Sequence, residues 1–283
     1  MKRILTVQDI SCVGKCSLTV ALPIISAMGI ETAVLPTAVL STHTAFEKGF
    51  TFRDLTQDIE PISEHWKNEG IAFDAIYTGY LGSFEQLHHV SRLFDDFRTE
   101  NSLVFVDPVM GDFGKLYAGF TPAFAKEMAT LCGKADIIVP NMTEACFLLG
   151  IPYVESGYDK AYVQNILKKL TDLGAPCAVL TGVSFDESSV GVMAYNSKTN
   201  QFFEYDNKRV PASFHGTGDI FASTCVGGLV NGLSLEDALQ VAADYTAACI
   251  LETEAEENHN WYGVNFETVI PTLLKLLFSK KTS

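Results

Sequence analysis

The sequence predicts an α/β protein: a doubly wound, mostly parallel central sheet flanked by helices, with a small antiparallel hairpin at its edge. Short apolar segments alternate with longer helical patterns, beginning with a strand at 4–8 and a helix at 18–28, and parallel strands need such crossovers. Residues 103–107 are almost continuously apolar, as expected of a strand buried on both faces. Residues 190–195 and 201–206 alternate in polarity, which predicts the edge hairpin.

The remaining elements follow from their start and stop signals. Ser83 with Gln86, and Ser234 with Asp237, are helix-capping pairs, and Thr121 precedes a proline suited to a first helical turn. Further predicted strands lie at 32–35, 74–78, 136–140 and 177–180. Further predicted helices lie at 54–68, 84–97, from 122 onward, 142–149, 159–173, 217–231, 235–252 and from 266 onward.

Length and charge restrict the class of protein. The 283 residues are enough for one large domain, and because no Pro/Gly/Ser-rich linker divides them we expect a single domain over residues 1–283. The net charge is −14 without a basic stripe, which argues against nucleic acid and membrane partners. The N-terminal residues lack the apolar region of a signal peptide, so we expect a cytoplasmic protein.

The seven cysteines are odd in number, irregular in spacing and without a C-x-x-C pair. Most of them lie within apolar stretches. This pattern predicts reduced thiols, mostly in the core, and neither a disulfide framework nor a zinc site.

The segment His215–Asp219 carries the most specific chemistry in the chain. Gly216 and Gly218 flank Thr217 at the start of an apolar helix, and backbone amides at such a start bind anions. Asp219 then lies beside that anion, where a carboxylate is useful as a base for an attacking hydroxyl group in phosphoryl transfer. An ordinary helix N-terminus would also explain the four residues Gly216–Asp219.

Polar residues follow several other predicted strands, where ligands bind in doubly wound folds. Asp107 and Asp112 flank a proline turn that suits magnesium or a nucleotide, although an ordinary turn would also fit. Asn141 and Glu144 also fit a capping box. Residues 8–17 form another candidate site, whose Gly14-Lys15-Cys16-Ser17 is rejected as a phosphate-binding P-loop because Asp9 replaces its first glycine.

With these motifs in this order, the chain resembles the ribokinase-like superfamily and, within it, the pyridoxal kinase family. The resemblance covers most of the chain. The segments that carry it are 41–44, 78–83, 107–112, 140–144 and 216–219.

The resemblance implies an ATP-dependent kinase that phosphorylates the 5′-hydroxymethyl group of a B6 vitamer. It implies that Asp219 is the base, with the amides around Gly216, Thr217 and Gly218 stabilising the transferring phosphoryl group. It further implies a homodimer, with Mg²⁺ and, as a second ion, a monovalent cation. The other roles it implies are magnesium binding by Asp112 and Glu144, ATP binding by Asp107, Asn141, Thr181 and Gly182, and vitamer binding by Asp9, Thr44 and Tyr80.

Two departures leave alternatives open. Asp9 stands where many members of the family have a small hydroxyl residue, and Val139 replaces a frequent threonine. Asp9 is expected to accept a hydrogen bond from a ring N–H or an amine, which keeps a hydroxymethylpyrimidine kinase of thiamine synthesis as an alternative. A vitamer-binding regulator without catalysis is a further alternative, although no expected catalytic group is missing.

Overall fold

The computed structural model describes residues 1–281 and centres on a sheet with helices on both faces. Within that range, nine strands form the main sheet and two short strands form a separate hairpin. The strands are β1 (Arg3–Ser11), β2 (Glu31–Leu40), β3 (Phe52–Asp54), β4 (Ala75–Thr78), β5 (Leu103–Val106), β6 (Gly111–Asp112), β7 (Lys115–Leu116), β8 (Ile137–Ile138), β9 (Cys177–Val183), β10 (Ser189–Asn196) and β11 (Gln201–Lys208).

The helices connect these strands or follow the last of them. Ser83, Thr121, Asn141, Asp159 and Ser234 each cap the following helix through a side-chain oxygen that accepts a backbone N–H. The helices are α1 (Leu18–Ala27), α2 (Thr56–Asn68), α3 (Phe84–Phe97), α4 (Pro122–Cys132), α5 (Met142–Leu149), α6 (Lys160–Thr171), α7 (Thr217–Val230), α8 (Leu235–Glu254) and α9 (Phe266–Lys281).

The predicted fold class is confirmed. The order of the main sheet is β11-β10-β9-β8-β5-β4-β1-β2-β3, and every pair from β9 to β2 is parallel. The predicted hairpin is β10 with β11, at one edge of the sheet. Because β1 lies in the interior and the strand order reverses on its two sides, the carboxyl ends of β1, β4 and β5 meet at one cleft.

Two apolar cores lie on opposite faces of the sheet. One joins the face carrying Leu5, Val7 and Ile76 to helices α2 to α6. The other joins the face carrying Ile4 and Tyr77 to helices α1, α7, α8 and α9. Alternate residues of β1 and β4 therefore enter different cores, which fixes the register of both strands.

Several strands are longer than predicted. β1 extends through Ser11 because Ile10 and Ser11 pair with Val39 and Leu40, so that Asp9 lies within the strand and not in the turn after it. β9 likewise extends to Val183 because β10 pairs with it. The edge strand β3 and the hairpin β6–β7 were not predicted, since both are too short and too exposed to show an apolar period.

All seven cysteines are free thiols, and five of them are buried, as predicted. No helix within residues 1–281 combines the length and the apolar character that a membrane crossing would need.

Candidate active site

Acidic side chains from four different elements meet at the carboxyl edge of the sheet. Asp9 comes from β1, Asp107 follows β5, Glu144 lies in the first turn of α5, and Asp219 lies in the first turn of α7. Burial raises the pKa of the Asp107 carboxyl well above the usual value, and the charges of Glu144 and Asp219 raise it further. Concentrated negative charge of this kind is suited to a cation.

Glu144 is buried and confirms the capping box with Asn141. Its carboxylate accepts the backbone N–H groups of Asn141 at 2.9 Å and of Met110 at 3.1 Å, while the Asn141 side chain accepts the N–H of Glu144 at 2.9 Å. Burial nevertheless raises the pKa of Glu144 to about 8, and the charge of Asp112 acts in the same direction. Glu144 is therefore both a structural cap and part of the acidic cluster.

The hairpin β6–β7 brings Asp112 and Tyr117 to the cluster. Asp112 is exposed, and partial burial of its carboxyl raises its pKa, while the Phe113 N–H and His215 act in the opposite direction. Burial raises the pKa of Tyr117, and so do the charges of Glu144, Asp112, Asp107 and Asp219. Tyr117 thus lies within electrostatic range of all four carboxylates, and the hairpin borders the cleft.

The predicted anion turn has the backbone geometry that its glycines allow. Gly216 adopts φ +80° and directly precedes α7, so the first amides of the helix, from Thr217 onward, open towards the cleft. A Cβ atom on Gly216 would lie 1.8 Å from the carbonyl oxygen of Lys15. The turn is therefore packed against the loop that follows β1, and only glycine fits there.

Lys15 does not serve as a P-loop lysine, in agreement with the rejection of that motif. Its ammonium group donates to Asn265 Oδ1 and Glu267 Oε2, both at 2.9 Å. This ion pair instead holds the loop after β1 to the start of α9.

Two opposing effects act on the pKa of the Asp219 carboxyl: burial disfavours its charged form, and one backbone amide favours that form. Burial raises its pKa to about 7, the N–H of Ser17 lowers it, and the charge of Asp9 raises it further. A carboxylate with a pKa near neutrality is suited to general-base chemistry.

Asp9 and Tyr80, which the resemblance assigns to the same ligand, lie within electrostatic range of each other, and their binding role stays a prediction. Asp9 is buried and accepts the Ser11 hydroxyl at 3.0 Å, and burial raises its pKa while Ser17 and Ser11 lower it. Burial and then the charge of Asp9 raise the pKa of Tyr80, whose ring packs against Phe120 at 5.6 Å between centroids. Ser11 and Ser17 were missed, since no sequence pattern shows that their hydroxyls turn towards Asp9.

Thr44 is exposed on a loop that reaches the anion turn through its neighbour, His43. The buried His43 ring lies 4.9 Å from the His215 ring and 5.8 Å from the Trp261 ring, between centroids. The structure describes no contact between Thr44 and Asp9, so the role of Thr44 stays a prediction. Both histidines lie in segments that the sequence singled out, 41–44 and 215–219, but neither was given a role in the site.

Of the four residues predicted to bind ATP, Asp107 belongs to the acidic cluster and the other three lie farther along the sheet. Asn141 forms an isolated bridge with Thr181, and its side-chain amide donates to the Gly111 carbonyl at 2.9 Å. Gly182 is exposed and lines a cleft of about 420 Å³, together with Tyr158, Phe185 and Arg209. The four predicted ATP residues therefore come from adjacent strands of the sheet, with Asp107 after β5, Asn141 after β8, and Thr181 and Gly182 in β9.

We expect the free energy of unfolding of the ligand-free protein to fall as the pH rises from about 6 to about 8, by a few kcal/mol. Glu144 and Asp219 have folded-state pKa values of about 8 and about 7, against ordinary values of 4.5 and 3.8. The folded state thus binds more protons than the unfolded state between those values. Its stabilisation is complete below the ordinary values and is lost as the pH passes through 7 to 8. Urea denaturation at several pH values measures this slope.

The Asp74→Asn variant is the control for this pH series. The pKa of Asp74 is lowered, so it titrates below the pH window and its loss should leave the slope unchanged. Asp219→Asn should flatten the slope. A wild-type protein that becomes more stable between pH 6 and 8 would contradict the prediction.

Comparisons with known proteins agree on the fold and the class. The family model described as phosphomethylpyrimidine kinase matches residues 25–264. A crystal structure with pyridoxal of a Bacteroides thetaiotaomicron protein, provisionally described as a phosphomethylpyrimidine kinase, is 42% identical, covers 96% of this chain and 95% of that one, and has a TM-score of 0.91.

Two named pyridoxal kinases are also similar. The enzyme from Lactobacillus plantarum is 31% identical, covers 98% of both chains and has a TM-score of 0.89. The curated pyridoxal kinase of Dictyostelium discoideum is 27% identical over 248 residues, which are 80% of this chain and 77% of that protein.

Fold, anion turn and relatives together define a kinase of the ribokinase-like class. Within that class, the chain belongs to the phosphomethylpyrimidine kinase family, and to the pyridoxal kinases that the Lactobacillus and Dictyostelium enzymes represent.

Proposed function

We propose that the protein transfers the γ-phosphoryl group of ATP to the 5′-hydroxymethyl group of a B6 vitamer. The observation that carries the proposal is the placement of Asp219 beside the anion turn and within electrostatic range of Asp9. One carboxylate can then take the proton of the hydroxymethyl group, while the other holds the far side of the ring. The relative solved with pyridoxal supports the choice of ring.

The chemistry assigned to the chain is an in-line transfer. Asp219 accepts the hydroxyl proton as the oxygen attacks the γ-phosphorus, and the bond from that phosphorus to the β-phosphate oxygen breaks. Amides at Gly216, Thr217 and Gly218 stabilise the charge on the moving phosphoryl group. The nucleotide base is assigned to the cleft beside Gly182, with its phosphates running past Thr181, Asn141 and Asp107 towards the turn.

The acidic cluster fits magnesium held partly by substrate. Within residues 1–281 no group of three His, Cys, Asp or Glu side chains forms a metal site by itself. Mg²⁺ usually takes one or two carboxylates, phosphate oxygens and several waters, and both oxygens of Glu144 already accept amides. Asp112 and Glu144, the latter through water, would hold the ion, which neutralises phosphate charge when bound with ATP.

Asp9, Thr44 and Tyr80 are assigned to the ring. The Asp9 carboxylate is the acceptor for a ring N–H or an amine. Hydroxymethylpyrimidine also carries an amine and a hydroxymethyl arm, and the name of the matching family supports it as the second candidate substrate. The homodimer and the monovalent cation are proposals from the resemblance, and the single domain over residues 1–283 is a proposal from the length and the absence of a linker.

The test is phosphorylation of pyridoxal, pyridoxine, pyridoxamine and hydroxymethylpyrimidine by the purified protein with ATP and Mg²⁺. We expect turnover of at least one B6 vitamer, with omission of Mg²⁺ abolishing it. Turnover of the pyrimidine alone would move the protein to thiamine synthesis with the same site. Binding of a vitamer without any turnover would support the regulator and contradict the proposal.

A further inference from the structure

Ser17 has a backbone conformation that a residue with a Cβ atom rarely adopts. It lies between β1 and α1 with φ 52° and ψ −135°. This region resembles the first central position of a type II′ turn, where glycine is the usual residue. Strain of this kind persists where the surrounding structure holds it, and it is frequent at functional sites.

The side chain of Ser17 also gives up a stabilising role. Ser17 is the N-cap residue of α1, and serine is among the best residues at that position, yet its side chain makes no capping hydrogen bond. Its hydroxyl instead lowers the pKa of the Asp9 carboxyl, and its backbone N–H lowers the pKa of the Asp219 carboxyl, so both groups lie near enough to favour the charged forms. A single buried residue therefore lies beside both acids of the proposed site.

The neighbours of Ser17 hold its loop in place. The Lys15 carbonyl packs against Gly216 so closely that a Cβ atom there would lie 1.8 Å away. The Lys15 ammonium is bound by Asn265 and Glu267, each at 2.9 Å, and Gly263 leaves no room for a Cβ atom beside the Lys15 side chain. The loop cannot relax without disturbing the anion turn, which explains how the strain at Ser17 persists.

The geometry points to Ser17 as a positioning residue that sets the distance between Asp9 and Asp219 by binding one through its hydroxyl and the other through its amide. This inference rests on the proposed function, because it assigns the two acids to the ring and to the hydroxymethyl group of one substrate. Loss of the hydroxyl leaves Asp9 held by the Ser11 hydroxyl alone and weakens binding of the ring. The nucleotide side of the cleft lies beyond the acidic cluster and keeps its contacts.

Two variants separate positioning from stability. Ser17→Gly relieves the positive φ and removes the hydroxyl, so we expect a higher unfolding temperature than wild type. Ser17→Ala keeps the strain and removes the hydroxyl, so we expect a lower one. In both we expect the KM for the vitamer to rise about tenfold, with the KM for ATP within about twofold of wild type.

Three reference variants complete the experiment. Asp9→Ala removes the acceptor itself and should raise the vitamer KM at least as much as either Ser17 variant. Ser11→Ala removes the hydroxyl that donates to Asp9 at 3.0 Å, and this variant should also raise the vitamer KM. Ser234→Ala removes the cap of the remote helix α8 and should lower stability without altering either KM.

Each outcome decides a different claim. A vitamer KM unchanged in both Ser17 variants, or raised only in the less stable one, would overturn the positioning role while leaving the proposed function intact. A Ser17→Gly protein that is no more stable than wild type would overturn the strain on which the role depends. Wild-type protein that turns over neither the vitamers nor hydroxymethylpyrimidine would overturn the proposed function and this inference together.

Discussion

The Asp219→Asn variant is expected to lose at least about a thousandfold of kcat for vitamer phosphorylation. Asparagine has nearly the same shape as aspartate but cannot accept the hydroxymethyl proton, so the attacking oxygen has no base. The KM for the vitamer should change little, because Asp9 and Tyr80 are assigned to the ring. Steady-state kinetics at about pH 8, where the wild-type carboxyl with its pKa of about 7 is ionised, measures both constants.

Stability separates this loss of chemistry from a loss of fold. Asp219 is a carboxyl whose raised pKa destabilises the folded protein above neutrality, so Asp219→Asn should be at least as stable as wild type at pH 8. Asp74→Asn, at the opposite end of β1 beside Arg3, should keep wild-type turnover. If kcat in Asp219→Asn stays within tenfold of wild type, Asp219 is not the base.

The Gly216→Ala variant should destabilise the fold by about 3 kcal/mol or more and abolish turnover. The added Cβ atom would meet the Lys15 carbonyl oxygen at 1.8 Å, and the backbone at φ +80° disfavours any residue but glycine. The atom that the new Cβ would meet belongs to the backbone and not to a flexible side chain, so either the anion turn or the loop through Ser17 must move. Urea denaturation and kinetics measure the two effects.

Gly218→Ala is the matched control for stability. It lies two residues later, in the first turn of α7, and its Cβ position has nothing within 4 Å. Alanine is favoured over glycine in a helix, so this variant should be as stable as wild type or slightly more stable. Equal stability of Gly216→Ala and wild type would show that the turn and the loop are not packed as described.

Several elements were predictable because their signals are local. Near-continuous apolar strands such as β5, capping residues such as Ser83 and Ser234, and glycines that end helices are properties of short segments. The capping box of Asn141 and Glu144 was also correctly anticipated. The position of Glu144 beside Asp107 could not be predicted from the capping pattern, because that pattern is the same whether or not another carboxyl group lies nearby.

Other features depend on partners that are distant in the chain. The extension of β1 through Ser11 is set by pairing with Leu40, and β3 exists because it pairs with the end of β2. A segment as short as Phe52–Asp54, exposed on all three residues, has no pattern of its own. Strand ends that pairing decides are therefore beyond local interpretation.

The order of β-α units, the buried parallel strands and the anion turn at Gly216 are determined by residue type along the chain, because backbone preference and apolar periodicity act over a few residues. Tertiary structure alone decided the strained backbone of Ser17, the 3.0 Å bond from Ser11 to Asp9, and the His43–His215 contact. It also decided the raised pKa values of Asp107, Glu144 and Asp219. Burial and charge at a carboxyl depend on groups brought together from elsewhere in the chain, and no neighbour in sequence carries that information.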